Sequence, residues 1–330
     1  MFINKTRFFA GSALGLALVL SSCSTDTESA TPQASASPEA TANGEVIVVH
    51  AAFYPLEYLA SQIGGDAVSV ISLISPGADA HDMELSPAQV AELETTSLAL
   101  YIDGFMPAVD EAIAASVPDR ALDLGTTVSL LAADSHAEEK AHSEEEAHSE
   151  EDGHAEHGAY DPHIWLDPAN MVLMANAVSA RLISIDPTRT DFYATNTATL
   201  ITELEALDQE FTSGLANCAQ KEIVTSHESF GYLALAYGFT QNGIAGLSPE
   251  TEPSPARLAE VSELVKDKGI TTIYYETLVS PEIAQTVANE TGATTAILDP
   301  IEGLLEGSTD TFITVMKANL QALIKGQTCS

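Results

Sequence analysis

Basic residues are scarce in this 330-residue chain, and their scarcity narrows the classes of possible partner. Twelve Lys and Arg residues stand against 48 Asp and Glu residues, which gives a formal net charge of -36. A protein that binds phosphate backbones needs a basic footprint, so we expect no nucleic-acid partner. The acidic balance fits a protein that handles cations, but charge alone does not assign that function.

Long apolar runs are scarce as well, and the only strong one lies near the N-terminus. Two basic residues precede the run 8–20, which is too short for a membrane-spanning helix and has the form of a secretion signal. The run ends in LSSC, which resembles the lipobox of bacterial lipoproteins and would make Cys23 the lipidated first residue. An ordinary secretory signal with an incidental cysteine is the alternative. We therefore predict a lipoprotein signal at 1–22.

The stretch 23–44 lacks aromatic residues and aliphatic residues larger than Ala. Such a composition buries too little apolar surface to offset the entropy of ordering, so it predicts a flexible tether. The mature chain would then attach to the membrane through the acyl chains on Cys23.

Cysteine is rare, with three residues in the whole chain. An exported protein matures in a compartment that permits disulfides, and with Cys23 bearing lipid only one pairing remains. We predict a disulfide between Cys218 and Cys329, with two free thiols as the alternative.

Short β-rich runs alternate with helical runs in two stretches of the chain. The first stretch has predicted strands at 46–49, 68–74 and 97–102 and helices at 55–63, 87–94 and 107–115. The second has predicted strands at 222–225, 270–275 and 294–298 and helices at 230–237, 255–268, 281–291 and 311–324. This alternation is typical of parallel sheets flanked by helices.

A long helix is predicted between these stretches. The run 188–215 follows a helical stretch that ends at 185, and it has apolar residues at helical spacing: Phe192, Leu200, Leu204, Leu207 and Phe211. We predict an α/β fold with an N-terminal lobe at 45–186, a linking helix at 187–216 and a C-terminal lobe at 217–330. An acidic, His-rich loop at 134–158 interrupts the first lobe.

Nine histidines supply most of the candidate chemistry. Five lie in the acidic loop: His136, His142, His148, His154 and His157. Of the rest, His81, His163 and His227 each follow a predicted strand or open a loop, which is where open α/β sheets bind ligands. His50 ends the first predicted strand, and we assign it a structural role, with a position facing the cleft as the alternative.

The sequence around three of these histidines resembles a known family. PGADAHDMELSP surrounds His81, YDPHIWLDPAN surrounds His163 and VTSHESFGYLALAYG surrounds His227. Together with IYYETLVSPEIAQTVANETGA and LDPIEGL, these motifs resemble the metal-binding solute-binding proteins of bacterial ABC transporters, in particular the ZnuA-like zinc branch. The resemblance covers nearly all of the mature chain. It implies two lobes joined by a rigid helix, a metal-binding site and no catalytic step.

The resemblance also implies that the three motif histidines bind the metal. In relatives a carboxylate or a water completes the set, and counting along the last two segments favours Glu302. Asp299 and a water-completed site are the alternatives. Glu276 matches a carboxylate that usually lies short of the metal in the family, so we assign it a structural role.

The ligand types point to Zn²⁺. Three imidazoles and one carboxylate form a tetrahedral, borderline-soft set that suits zinc, whereas manganese prefers more oxygen ligands. Manganese-importing relatives have a carboxylate at the third position, where this chain has His227. Because imidazole must be deprotonated to bind metal, we expect zinc affinity to weaken below about pH 6.5.

Each ligating imidazole also needs its second ring nitrogen held by a carboxylate or a carbonyl. The nearby candidates are Asp79, Asp161 and Glu228, although an acidic residue of this kind is more often a turn or surface residue. Trp165, the single tryptophan, is expected to pack in the core. The acidic loop places imidazoles every three to six residues, which favours a low-affinity auxiliary zinc site over a role in solubility alone.

Taken together, these features predict an extracytoplasmic lipoprotein that captures zinc with high affinity. It would hand the ion to an ABC permease that works with a cytoplasmic ATPase, and we expect it to be a monomer. The alternatives are a manganese or iron importer subunit or a metal-dependent adhesin. A zinc hydrolase is more remote, because no HExxH-type spacing accompanies the histidines.

Overall fold

The first lobe contains a four-stranded parallel sheet. The computed structural model describes residues 46–81, 83–133 and 160–330. The strands are β1 (Ile47–Ala51), β2 (Val68–Ser72), β3 (Leu98–Tyr101) and β4 (Ala121–Asp123), in the order β2-β1-β3-β4. Helices α1 (Tyr54–Gly64), α2 (Pro87–Leu93) and α3 (Pro107–Ser116) connect them. Each of these helices has Pro in its first turn, where the missing N–H costs no hydrogen bond.

The second lobe repeats this arrangement. Its strands are β5 (Glu222–Thr225), β6 (Thr240–Gly243), β7 (Thr272–Tyr275) and β8 (Thr294–Ile297), in the order β6-β5-β7-β8 and all parallel. Its helices are α6 (Gly231–Tyr237), α7 (Pro255–Lys268), α8 (Glu282–Thr291) and α9 (Phe312–Gly326). The predicted fold class, two α/β lobes with parallel sheets, is confirmed.

Two antiparallel helices lie between the sheets in the sequence. They are α4 (Pro168–Ile185) and α5 (Thr190–Leu215), and the 26 residues of α5 span about 39 Å. Helix α5 packs against α1 and α4 on the first-lobe side and against α6 and α9 on the second-lobe side. Of the five apolar residues noted at helical spacing, Phe192 is 38% exposed, and the neighbouring Tyr193 is fully buried instead.

The two strands that the sequence patterns missed are both edge strands. The strand β4 has three residues, and β6 reads Thr-Gln-Asn-Gly without a single apolar side chain. An edge strand can be short and polar because only one side of it pairs with the sheet. Apolar periodicity therefore had little to detect in either segment.

A disulfide joins the segments that follow α5 and α9. It links Cys218 to Cys329 across 111 residues of sequence, which confirms the predicted pairing. By chain-entropy arguments, closing so long a loop stabilises the folded state by about 4–5 kcal/mol.

Several predicted features lie outside the described residues. They are the signal and the lipidated Cys23, the tether, and the loop histidines His136, His142, His148, His154 and His157. Among the helices that the structure does describe, none has the length and apolar character needed to cross a membrane.

Candidate metal centre

Four side chains from four distant segments converge at one point. One potential ligand atom from each of His81, His163, His227 and Glu302 lies within 4.8 Å of all the others. The Oε1 atom of Glu302 is 3.3 Å from His81 Nε2, 3.6 Å from His163 Nε2 and 3.5 Å from His227 Nε2. A zinc tetrahedron with bonds of about 2.0–2.1 Å has edges of about 3.3–3.4 Å, so the spacing fits such an ion.

All four residues lie outside the helices and strands. His81 lies in the connection from β2 to α2, and His163 immediately precedes the 3₁₀ turn Ile164–Leu166. His227 follows β5, and Glu302 follows β8. The carboxyl ends of parallel strands are where open α/β sheets bind ligands, and here the loops of two sheets share one site.

Two of the imidazoles are held by buried carboxylates. The Nδ1 atom of His163 donates to Asp161 Oδ1 at 2.7 Å, and the Nδ1 atom of His227 donates to Glu276 Oε1 at 2.6 Å. With Nδ1 protonated, the neutral ring has its lone pair on Nε2, which is the atom that faces the centre in both cases. These contacts keep a proton on Nδ1 and fix the orientation of both rings.

The carboxylate partners agree only partly with the prediction. Asp161 holds a ring, as predicted, but Asp79 accepts from the backbone N–H of His81 at 2.7 Å and not from its ring. Glu228 lies 3.8 Å from Arg257, and the carboxylate on the His227 ring belongs to Glu276. The structural role assigned to Glu276 was therefore too general. Its position at the end of β7, beside β5 in the sheet, is the signal that could have identified it.

Helix α6 of the second lobe fixes Asp161. The hydroxyl of Tyr232 donates to the Asp161 carbonyl at 2.8 Å and accepts from the Leu131 N–H at 2.9 Å. A Cβ atom at Gly231 would come within 2.5 Å of Asp161 Oδ2, so this close approach requires glycine. Helix α6 thus holds the backbone of Asp161, and Gly231 leaves room for its carboxylate.

The pKa values of three residues in the site are shifted from their usual values. Burial lowers the pKa of His227, but the carboxylates of Glu276 and Glu302 outweigh it and raise that pKa to about 10. Burial would also lower the pKa of His163, but the carboxylates of Asp161 and Glu302 outweigh burial and raise that pKa. Burial would raise the pKa of Glu302, yet the three imidazoles hold it well below its usual range. In the metal-free protein, the second proton of the His227 ring therefore occupies a position that a metal ion would take.

The turn that carries Glu302 is strained. Ile301 is fully buried and has a φ of 60°, a left-handed conformation that costs a β-branched residue about 1–3 kcal/mol. Asp299, the alternative ligand, has its Oδ1 atom on the Ile301 N–H at 2.7 Å and its Oδ2 atom on the Thr277 hydroxyl at 2.5 Å. The Asp299 carboxylate thus supports the turn, and Glu302 is the carboxylate that reaches the imidazoles.

His50 stands apart from this cluster. It lies on β1 and is 1% exposed, and neither ring nitrogen has a hydrogen-bond partner within the described part of the chain. Burial lowers the pKa of His50, which keeps the imidazole neutral. This histidine is not one of the four that share the site.

Comparison with known families decides the classification of the chain. The family model ZnuA, described as zinc-uptake complex component A, periplasmic, matches residues 49–326. The chain belongs to the ZnuA family. This confirms the resemblance that the three histidine motifs carried, since all three lie within the matched range.

Individual relatives agree with this membership. The chain is 34% identical over 286 residues to the zinc-binding lipoprotein AdcA of Streptococcus pneumoniae, covering 86% of this chain but only 56% of that protein. It is 33% identical to the high-affinity zinc uptake system protein ZnuA of Bacillus subtilis, covering 86% and 88% of the two chains. The Zn(II)-bound ZnuA-like domain of S. pneumoniae AdcA superposes with a TM-score of 0.70 at 31% identity, covering 86% and 99%. The chain thus spans about half the length of the AdcA proteins.

Proposed function

We propose that this chain captures Zn²⁺ with His81, His163, His227 and Glu302 and delivers it to an ABC importer. The observation that carries the proposal is the convergence of three imidazole Nε2 atoms on one buried carboxylate oxygen. The zinc-binding names of the ZnuA-family relatives support the same cargo.

The donor set favours zinc among the common divalent ions. Three nitrogen donors and one oxygen donor suit a tetrahedral, borderline-soft ion, whereas manganese and magnesium prefer oxygen-rich, octahedral sites. A single carboxylate among four ligands offers such ions too little oxygen. Copper, nickel and cobalt bind similar donors, so the cellular cargo depends on metal availability as well as ligand type.

Capture proceeds by exchange of protons for metal. The pKa of His227 is raised to about 10, so its ring holds a second proton at neutral pH when no metal is bound, and the pKa of His163 is shifted in the same direction. Zinc displaces the proton on Nε2 of His227, while Asp161 and Glu276 keep the Nδ1 protons of the two rings in place. The negative charge of the buried carboxylates then offsets the positive charge of the bound ion. No bond of a substrate is broken in this cycle.

Delivery requires a membrane location and a partner. A lipid on Cys23 would hold the protein at the outer side of the cell membrane, where a permease with a cytoplasmic ATPase receives the ion. Family membership and the lipoprotein relative support this location. The loop histidines His136, His142, His148, His154 and His157 would add weaker zinc sites near the tight one.

Zinc titration of the purified protein in competition with a chelator tests the capture step. We expect one tight site, severe weakening in Glu302→Ala and retention of the site in Asp299→Asn, which keeps an acceptor for the turn. Tight binding that survives Glu302→Ala but not Asp299→Asn would reverse the ligand assignment. Deletion of residues 137–158 should leave the tight site intact and reduce the number of weakly bound ions; an unchanged stoichiometry contradicts the auxiliary role.

Growth of a deletion strain under zinc chelation tests delivery. Complementation with the wild-type gene should restore growth, and the His227→Ala gene should not. Rescue by added zinc, but not by added manganese, identifies the cargo in the cell. Restoration of growth by the His227→Ala gene would argue against zinc delivery through this site.

A further inference from the structure

A single peptide group beside the metal centre is fixed at both of its ends. The carbonyl oxygen of Pro300 accepts from Trp165 Nε1 at 2.6 Å, and the N–H of Ile301 donates to Asp299 Oδ1 at 2.7 Å. Trp165 and Ile301 are both fully buried. Because the carbonyl and the N–H belong to one rigid plane, the two hydrogen bonds together prevent that plane from rotating.

Rotation of this plane is the motion that the local strain favours. It would carry the φ of Ile301 away from 60° and toward the extended region that a β-branched residue prefers. On the Asp299 side the restraint is itself anchored, because Asn319 bonds both the N–H and the carbonyl of Asp299. On the carbonyl side, the indole N–H is the hydrogen-bond donor that the structure provides. A conformation this unfavourable persists only where its surroundings over-determine it.

The indole approaches from the other lobe. Its ring lies edge-on to Phe53, just beyond β1, with centroids 4.6 Å apart, and it contacts Phe105 at 5.2 Å. Trp165 comes two residues after His163, and Pro300 comes two residues before Glu302. One hydrogen bond therefore joins the segment carrying a first-lobe imidazole to the turn carrying the carboxylate.

We propose that Trp165 is a positioning residue that sets the location of Glu302 relative to His163 and thereby enforces a tetrahedral site. The inference rests on the proposed metal-binding function and deepens it. It assigns to the indole N–H a role that packing alone would not require. Without that donor, the Pro300–Ile301 peptide rotates and the backbone of Glu302 is no longer held in one position. The site then discriminates less well against ions that prefer more oxygen ligands.

Two replacements remove the N–H with different costs in packing. Trp165→Phe leaves an aromatic ring but reduces its size. Because the chain has one tryptophan, incorporation of benzothienylalanine in a tryptophan auxotroph alters only this residue, replacing the N–H by sulfur while keeping the fused ring. Tyr237→Phe is the matched control, since Tyr237 ends α6 and its hydroxyl donates to Asp208 on α5 at 2.9 Å. It also removes a donor that joins two elements.

The first measurement needs no metal. Amide hydrogen exchange of Ile301, followed by NMR in the metal-free protein, should accelerate at least about tenfold in both Trp165 replacements and remain unchanged in Tyr237→Phe. Unchanged exchange in the Trp165 replacements would overturn the proposal whatever the protein binds. Equal acceleration in the control would do the same, because it would indicate a general loss of stability.

The second measurement uses Co²⁺ as a spectroscopic probe and Zn²⁺ in chelator competition. The wild-type protein and Tyr237→Phe should give the intense visible bands of tetrahedral Co²⁺. The Trp165 replacements should give weaker bands of higher coordination and bind zinc about 10-fold to 100-fold more weakly. An unchanged cobalt spectrum refutes the positioning role. Failure of the wild-type protein to bind zinc, with accelerated Ile301 exchange in the replacements, would instead refute the proposed function.

Discussion

The imidazoles of the metal centre are held in two different ways. His163 and His227 are fully buried, and each donates its Nδ1 proton to a buried carboxylate. His81 is held through its backbone N–H, and its ring packs edge-on against Phe105 at 4.9 Å. Two of the imidazoles are therefore oriented by charge and the third by the conformation of its loop. Residues that would bind one ion in the same way can therefore differ in how much their removal destabilises the protein.

The largest expected difference between these classes concerns ligand removal. In metal-free protein, His227→Ala would leave Glu276 as a buried carboxylate without its imidazole partner and with the Ser226 hydroxyl still donating to it, which costs about 3–5 kcal/mol of unfolding free energy. His81→Ala leaves both buried pairs intact, so its cost should be clearly smaller. Both variants should lose tight zinc binding. Denaturant unfolding of the metal-free variants checks the comparison, and equal losses of stability would contradict it.

Removal of charge from the supporting carboxylates should have the next largest effect. Glu276→Gln and Asp161→Asn keep an acceptor for each ring but lower the basicity of the imidazole, so zinc affinity should fall about 10-fold to 100-fold. Asp79→Asn is the matched control, because Asp79 contacts the His81 backbone and not its ring. Chelator competition gives the three affinities. If Asp79→Asn lost as much zinc affinity as the other two variants, carboxylates on the rings would have no special role.

The pH dependence sharpens the same contrast. The pKa of His227 is raised to about 10, so its contribution to metal-free stability is fully present below about pH 6.5 and is lost as the pH rises toward 10. Zinc must displace that proton, so the gain in melting temperature on adding zinc should grow from pH 6.5 to 9. The sequence alone predicts weaker zinc binding below about pH 6.5, and the raised pKa of His227 extends the expected pH dependence to higher pH.

Melting curves with and without chelator-buffered zinc provide the measurement. The metal-free melting temperature should fall over the same pH range, and His227→Ala should flatten that fall. A zinc-induced gain that stays constant between pH 6.5 and 9 would show that His227 holds no such proton.

The smallest predicted effect concerns a histidine with no partner among the described residues. His50→Leu replaces a buried imidazole by an apolar side chain and should raise the unfolding free energy by about 1 kcal/mol. Zinc affinity should not change. A destabilised variant, measured in the same denaturant series, would show that a partner satisfies this imidazole.

How well the sequence predicted each feature depends on how far apart in the sequence the interacting residues lie. The helices α4 and α7 were predicted to the residue at their C-terminal ends, because local periodicity and flanking Pro and Gly mark them. The short edge strands carry no such pattern and were missed. The motif histidines were found because they stand in recognisable local sequences.

Long-range partners were the hardest to predict. Glu276 holds His227 from a different strand 49 residues away, and the sequence around His227 offered Glu228 as a nearer carboxylate. Only the strand order, which places β7 beside β5, brings the correct partner to the ring. The roles of Asp299 and Trp165 at the Glu302 turn depend likewise on contacts across the fold.

The disulfide turns most of the second lobe into a covalent macrocycle. The ring runs from Cys218 to Cys329 and contains two of the four converging side chains, His227 and Glu302, while His81 and His163 belong to the linear part of the chain. Tension applied between the two ends of the polypeptide would pass through the sulfur atoms and bypass the ring. The linear part of the chain could then unfold under tension and carry His81 and His163 away. The cyclised part would keep His227 and Glu302 within one closed ring.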